Sequence, residues 1–298
     1  MKLGLLLILV SGCSMLSSHS EKSAAEAKEK KVEKVALKSK NFSIRPGEAT
    51  VIDFPVMELT TDATLKCSDQ KIPYFKKNDR FLAFVAETYF SKQKPTTCVI
   101  TKNGVEKQVA MITVSDKDFP SEKLNVDQRR VSLNPKDLKR VQKEQVFLNK
   151  NYASSPAHPY FEEPFMLPID AFVTSIYGSR RIFNNSKQSQ HLGTDFRAAV
   201  GEPIYAANAG KVVVARDLFF TGGTVTIDHG LGIFTIYGHL SKVEANEGDY
   251  IPKGARLGLA GATGRVTGPH LHWGVKVNGH FIEGESLVKA SQMVGTEN

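Results

Sequence analysis

Residues 204–237 read IYAANAGKVVVARDLFFTGGTVTIDHGLGIFTIY, and this stretch decides the predicted fold of the C-terminal half. Its apolar runs are short, rich in β-branched and aromatic side chains, and separated by glycines. Such runs are typical of strands joined by tight turns. Similar runs recur from Phe172 onward, and periodic helical signals are nearly absent. The sequence therefore predicts a compact antiparallel β-domain, which we place at residues 165–290.

Two short segments of this half carry candidate metal ligands. HLGTD at 191–195 offers a nitrogen and an oxygen ligand, and HLH at 270–272 offers two imidazoles. Alternate side chains of a strand face the same side, so His270 and His272 could enter one cavity. Three protein ligands with a fourth position left for water are typical of a catalytic zinc site, whereas structural zinc is closed by four ligands, usually cysteines. By spacing alone, each pair also fits ordinary core or turn histidines.

Three separated segments make the pattern specific. They are HLGTD at 191–195, YGHL at 237–240 and TGRVTGPHLHW at 263–273. In order and spacing, across about 167–287, they resemble the lysostaphin-type, LytM-like zinc peptidases of family M23. The resemblance implies a small antiparallel sheet with a groove, one Zn²⁺ per peptidase domain, and peptidoglycan as the substrate. One departure is Glu283-Gly284, where the family often has an acidic residue and a proline; this affects the closing strand of the domain.

The resemblance also implies roles for individual residues. His191, Asp195 and His272 match the zinc ligands, while His239 and His270 match the two catalytic histidines that do not bind the metal. Zinc can lower the pKa of a bound water to about 7 and polarise the scissile carbonyl. Either His239 or His270 could take the proton of that water and pass it to the leaving amine, while the other stabilises the oxyanion.

Other residues of this half have weaker assignments. Arg180 and Tyr237 could line the substrate groove, and could equally be packing or surface residues. His229 lies in a glycine-flanked turn, DHGLG, and is interpreted as a structural turn histidine.

The N-terminal half is predicted to hold a separate β-domain. Residues 41–118 contain short β-type runs with Pro46-Gly47 and Asn103-Gly104 at turns, which fits a small β-sandwich with a positioning or binding role. Asn134-Pro135 followed by good helix formers predicts a helix over 136–150. That helix and a proline-rich arm form a linker at 119–164. The fold class is therefore mainly β: a small sandwich-like domain, a helical linker and the LytM-like antiparallel domain.

The first residues are typical of an export signal. Met1-Lys2 is followed by an apolar run and by Val10-Ser11-Gly12-Cys13. This resembles the bacterial lipoprotein signal at 1–20, with cleavage before Cys13 and acylation of that cysteine as a membrane anchor; the alternative is an ordinary signal peptide cleaved slightly later. Ser14, which is not aspartate, indicates an outer-membrane lipoprotein facing the periplasm if the source has two membranes. Residues 21–40 are interpreted as a flexible charged tether.

Export bears on the remaining cysteines and on the charge. Cys67 and Cys98 are expected to form a disulfide in an oxidising compartment, with two independent buried thiols as the alternative. The net charge of +8 favours anionic partners, which suits wall polymer or a membrane surface. Nucleic acid is not an expected partner, because no binding motif is present and export argues against it.

Two functional hypotheses follow. The first is a zinc endopeptidase that hydrolyses peptide bonds in peptidoglycan stem peptides or cross-links. The second is a catalytically inactive LytM-like module that activates a separate cell-wall amidase. Such inactive modules usually lack metal ligands, whereas every expected ligand position is filled in this sequence, so the enzyme is favoured.

Overall fold

The computed structural model describes residues 38–91, 94–185 and 187–295, and the described residues are mainly β. This confirms the predicted fold class. The proposed signal, Cys13 and nearly all of the tether lie outside the described residues. None of the helices within those described ranges is long and apolar enough to cross a membrane.

Two small sheets form the N-terminal part. Their strands are β1 (Lys40–Ile44), β2 (Ala49–Pro55), β3 (Thr64–Cys67), β4 (Gln70–Lys71), β5 (Phe75–Lys77), β6 (Arg80–Ala86), β7 (Thr96–Lys102) and β8 (Val105–Val114). The next strand along the chain, β9 (Ser121–Leu124), belongs to neither of these sheets. One sheet has the order β1-β8-β7-β3-β4 and the other β2-β6-β5. Side chains from both sheets, such as Phe54 and Ile100, share one buried cluster. The two sheets therefore pack face to face, as expected for a sandwich.

A disulfide links two strands of the larger N-terminal sheet. Cys67 on β3 lies directly opposite Cys98 on β7, and their sulfur atoms are bonded. Both residues are buried. The bond closes a loop with a sequence separation of 31 residues.

We expect the double variant Cys67→Ala/Cys98→Ala to lose about 3–4 kcal/mol of unfolding free energy, because the unfolded chain regains the entropy of the open loop. Urea unfolding of the variant against the parent protein measures this loss. Reduction of the parent with a thiol should lower the urea midpoint by a similar amount. An unchanged midpoint in both experiments would contradict the expectation.

The helix α1 (Pro135–Tyr152) follows as predicted from its N-cap and proline. The Asn134 side chain accepts a hydrogen bond from the Asp137 backbone N–H at 2.9 Å, which satisfies one of the free donors of the first turn. The chain after α1 runs over the C-terminal sheet, where the Leu231 N–H donates to the Pro156 carbonyl at 2.7 Å.

The C-terminal part is built on one large antiparallel sheet. Its elements are β10 (Val173–Ser175), β11 (Arg180–Phe183), β12 (Lys187–Gln190), β13 (Thr194–Arg197), β14 (Pro203–Tyr205), β15 (Gly210–Leu218), β16 (Gly222–Asp228), β17 (Ile233–Leu240), β18 (Lys242–Val243), β19 (Tyr250–Ile251), β20 (Arg256–Leu259), β21 (His270–Val277), β22 (His280–Ile282) and α2 (Gly284–Gly295). The large sheet has the order β10-β13-β21-β17-β16-β15-β19. Strand β21 therefore lies between β13 and β17.

Helix α2 was not predicted from the sequence. Its apolar residues Leu287, Ala290 and Val294 recur at helical spacing and are buried. The segment is short, however, and it starts at Gly284, which usually ends helices. Glycine is needed there because an added Cβ would lie 2.4 Å from the Trp273 ring.

The N-terminal and C-terminal parts share a core. Phe84 of β6 belongs to the same buried cluster as Phe161 and Trp273. Across this contact the Ala49 N–H donates to the Ser286 hydroxyl at 2.8 Å, and the Asn278 amide donates to the Phe84 carbonyl at 2.7 Å.

Strand β9 makes a second connection between the two parts. It pairs in parallel with β11, which in turn pairs with β12, and Glu122 lies opposite Arg181 in this register. A segment from outside the large sheet thus forms part of the surface next to the candidate site.

Candidate active site

Three side chains from two neighbouring strands form a compact cluster. Asp195 on β13 lies directly opposite His272 on β21, and His191 comes just before β13. Asp195 Oδ1 is 2.7 Å from His272 Nδ1 and 3.0 Å from His191 Nε2. The two imidazole nitrogens are 3.2 Å apart. These three atoms could bind one metal ion together, as the mutual distances of the group allow.

The protein backbone sets the orientation of His191. Its Nδ1 is 2.9 Å from the Ile176 carbonyl, so Nδ1–H donates there and Nε2 keeps its lone pair for a ligand. Such outer contacts fix the tautomer of metal-binding histidines. Gly193 is required for space, because a Cβ at this position would lie 2.5 Å from Cε1 of His272.

The donor set fits zinc. Two imidazole nitrogens and one carboxylate oxygen are a ligand set found at catalytic zinc sites, where a fourth position stays open. The cluster borders a cavity through Asp195, so an open position would face that cavity. No cysteine lies in this half of the chain.

Two further histidines lie beside the cluster. The ring centroids of His239 and His270 are 4.7 Å apart, and that of His239 is 5.7 Å from that of His272. His239 Nδ1 is 2.8 Å from the Thr263 carbonyl, and His270 Nδ1 is 2.9 Å from the Gly268 carbonyl. Each Nδ1–H therefore donates to a backbone oxygen, which leaves each Nε2 able to accept a proton.

The surroundings of His239 and His270 favour the neutral form of both rings. Burial, together with the neighbouring His272 and His270, holds the pKa of His239 well below its usual value of 6.5. Burial also lowers the pKa of His270. For Asp195, burial alone would raise the pKa, but the neighbouring His191 and His272 outweigh it, and the pKa lies well below 3.8. Neutral imidazoles beside a carboxylate can both bind a cation and accept protons.

The backbone at His239 is unusual. Its φ is +64°, in the left-handed region that non-glycine residues rarely adopt, and its N–H donates to the Thr221 carbonyl at 2.6 Å. Such conformations are concentrated at functional sites.

The sequence matches the model of peptidase family M23 over residues 189–283. This range contains the metal-ligand cluster and both further histidines. The chain carries a peptidase family M23 domain.

Similar proteins extend this finding. The chain is 41% identical over 118 residues to the peptidoglycan DD-endopeptidase ShyA of Vibrio cholerae, covering 39% of this chain and 27% of ShyA. It is 38% identical over 97 residues to the DD-carboxypeptidase/endopeptidase Mpg of Neisseria meningitidis, covering 33% of this chain and 22% of Mpg. The matches thus span about a quarter of these relatives.

One solved structure is similar over most of the chain. It is a crystal structure of an M23 peptidase candidate from Pseudomonas aeruginosa, with a TM-score of 0.65 and 28% identity, covering 83% of this chain and 95% of that one. The similarity therefore extends beyond the M23 domain into the N-terminal sheets.

A cavity of about 540 Å³ opens beside the metal-ligand cluster of the M23 domain. Arg181 lines it, and Arg180 does not. Successive residues of a strand face opposite sides, and Arg180 points out to solvent. Sequence reasoning therefore missed Arg181, whose guanidinium contacts Asp195 and lies 3.4 Å from Glu122.

Of the alternatives left open for Tyr237, a groove residue or a packing or surface residue, the structure favours a packing residue. Tyr237 is fully buried, its hydroxyl accepts a hydrogen bond from the Ala207 N–H at 2.8 Å, and the hydroxyl of Thr235 is 2.8 Å away. Burial raises the pKa of Tyr237 to about 12. The residue therefore stays neutral, and its hydroxyl links β17 to the segment between β14 and β15.

His229 has a structural role in the M23 domain. Its Nδ1–H donates to the Ala209 carbonyl at 2.7 Å, and its Nε2 is 2.7 Å from the Thr235 hydroxyl. Burial lowers the pKa of His229 to about 4.

We expect the unfolding free energy to fall as the pH decreases from about 6.5 to 4. In this window an unfolded histidine binds a proton, whereas folded His229 does not, so protons favour the unfolded state by up to about 1.4 kcal/mol per pH unit for each such group. Urea unfolding with a chelator present, at several pH values, measures the slope.

Substitution His229→Gln is the matched control for this expectation, because glutamine keeps a donor and an acceptor without titrating. It should make the slope shallower, and the remaining slope comes from other groups, including His239, His270, His272 and His280, whose pKa values are also lowered. An equal slope in both proteins would show that His229 does not contribute.

Proposed function

We propose that the protein is a zinc-dependent endopeptidase that hydrolyses peptide bonds in peptidoglycan stem peptides or cross-links. One observation carries the proposal: two histidines, each with a proton-accepting Nε2, lie beside a three-ligand cluster at the edge of a cavity. The name of the V. cholerae relative, a peptidoglycan DD-endopeptidase, supports the substrate, and the name of the N. meningitidis relative, a DD-carboxypeptidase/endopeptidase, supports the peptidase activity.

In this proposal His191, Asp195 and His272 hold the metal. A zinc ion there would polarise a carbonyl and lower the pKa of a water molecule to about 7. The Ile176 carbonyl orients His191, and Arg181 together with the ligand histidines keeps Asp195 ionised. The protein thus supplies a preformed, negatively charged cluster for a divalent cation.

His239 and His270 then act as proton carriers. Both are neutral at pH 7, and the Nδ1–H of each donates to a backbone carbonyl. When Nε2 takes up a proton, the resulting imidazolium therefore already has a hydrogen-bond acceptor for its Nδ1–H. One of the pair accepts the proton of the attacking water and delivers it to the leaving amine. The other can donate a hydrogen bond to the oxygen that becomes negatively charged only in its protonated form, in which Nε2 also carries a proton.

We also propose that the protein acts in the cell envelope. Peptidoglycan is an envelope polymer, and the sequence before the described residues resembles a lipoprotein signal ending at Cys13. Lipidation of Cys13 would hold the enzyme on the membrane, and the charged segment 21–40 would give it reach towards the wall.

The test is digestion of intact cross-linked peptidoglycan by the purified protein, with and without a zinc chelator, followed by mass spectrometry of the products. Chelator-sensitive release of uncross-linked stem peptides is expected, and the product masses identify the bond that is cut. No cleavage after zinc is restored would contradict the proposal and favour the non-catalytic amidase activator.

A further inference from the structure

An arginine in the cavity beside the proposed metal site is held in a fixed position. Arg265 lies in the loop before β21, and its backbone N–H donates to the Phe220 carbonyl at 2.8 Å. Its guanidinium carbon lies 4.3 Å from the ring centroid of Phe183 and 4.6 Å from that of Phe220. The aromatic rings cover the guanidinium by cation–π contact, and its side chain is half-buried.

The Arg265 guanidinium lacks an anionic partner within the part of the chain that the structure describes. Neither a hydrogen bond nor a neighbouring carboxylate raises the pKa of its guanidinium. Burial and the charge of Arg181 lower this pKa to about 10, so Arg265 is still cationic at pH 7. A half-buried, unpaired cation is unfavourable unless an anion or water satisfies its donors.

The other charges of the cavity are already paired or exposed. Arg181 contacts Asp195 and Glu122, and Glu122 also accepts hydrogen bonds from the Ser175 hydroxyl at 2.9 and 3.0 Å. Lys123 lines the cavity but is exposed, so water screens its charge. Among the cationic side chains that line the cavity in the described part of the chain, Arg265 therefore combines partial burial with guanidinium N–H donors that lack a protein acceptor.

We propose that Arg265 binds a carboxylate of the substrate peptide and so selects substrates that carry a free acid next to the scissile bond. A guanidinium presents a rigid fork that matches the two oxygens of a carboxylate, and the contacts with two aromatic rings restrict its movement at the cavity wall. The inference rests on the proposed function for its substrate class. The carboxylate could be the C-terminal one of a stem peptide or one on a side chain.

Binding of intact peptides tests this without requiring cleavage. Calorimetric titration uses protein carrying His239→Ala and three cross-linked stem peptides: one with all carboxylates free, one with the C-terminal carboxylate amidated, and one with side-chain carboxylates amidated. The free peptide should bind about 10- to 100-fold more tightly than one of the amides, as expected for a charge-assisted pair. The amide that loses affinity identifies the carboxylate.

Variants assign the preference to Arg265. Arg265→Gln should weaken binding of the free peptide to the level of the affected amide and leave the binding of that amide unchanged. Arg265→Lys should keep part of the preference, because it retains the charge without the fork. Lys123→Gln removes an exposed charge from the same cavity and should change affinity by less than about 3-fold. Arg256→Gln, an exposed residue paired with Glu244 outside the cavity, should have no effect.

Several results would overturn the inference. The first is equal affinity of the protein with Arg265 intact for free and amidated peptides. The second is an unchanged preference for the free peptide in Arg265→Gln, and the third is no binding of any of the three peptides. Thermal melts check that the Arg265 variants fold, and Arg265→Lys keeps the test decisive if Arg265→Gln is destabilised. Failure of peptidoglycan cleavage would contradict the proposed function, whereas the carboxylate preference is read from binding alone.

Discussion

Substituting His191 by alanine should remove bound zinc and cleavage together. In the proposed site the residue supplies one of three ligand atoms, and Asp195 and His272 alone would leave too few donors for stable binding. We expect the zinc content to fall from about one per chain to near zero, and the rate of cleavage to drop by about 10³-fold or more. Elemental analysis of dialysed protein and product release from peptidoglycan measure the two effects.

A matched control separates this result from general loss of a histidine. His158 is exposed and lies outside the metal-ligand cluster, so His158→Ala should retain both zinc and activity. Full zinc occupancy in His191→Ala would show that the metal is bound elsewhere.

Substituting His239 by alanine should abolish most of the cleavage but leave the zinc content unchanged. Its Nδ1 is bonded to the Thr263 carbonyl, and it is not one of the three clustered ligand residues, so zinc should stay bound. Cleavage should fall by about 10²- to 10⁴-fold, because a positioned proton carrier is lost. The same two measurements apply, with a thermal melt to show that the fold persists.

His270→Ala provides the comparison for His239→Ala. Both variants should retain zinc, and the ratio of their remaining activities shows which histidine contributes more to proton transfer. Loss of zinc in His239→Ala would contradict the role proposed for that residue.

The sequence was most informative where residues act locally. The two halves of the ligand cluster lie in short segments, and strand alternation alone suggests that His270 and His272 share a face. The turn glycines and β-branched runs also predicted most strands of the C-terminal half, because tight turns and alternating side chains depend on neighbouring residues.

Features that depend on distant pairing were missed. Arg181 reaches Asp195 only because β11 has a particular register, and a shift by one residue would bring in Arg180. Glu122 contributes to the same surface through β9, whose pairing with β11 joins residues about 59 positions apart. The alternatives for Tyr237 stayed open because its motif does not reveal that the ring lies inside the sheet packing.

The shared core and the pairing of β9 bear on how this catalytic unit could be moved to a new carrier protein. A graft starting at residue 165 would leave behind the strand Ser121–Leu124 and the aromatic residue Phe84, exposing the edge of β11 and the hydrophobic surface that Phe84 covers. A chimera that keeps everything from β1 onward retains these contacts. Recombination that exchanges whole modules would therefore succeed most readily at a crossover upstream of Lys40, where no described strand is divided.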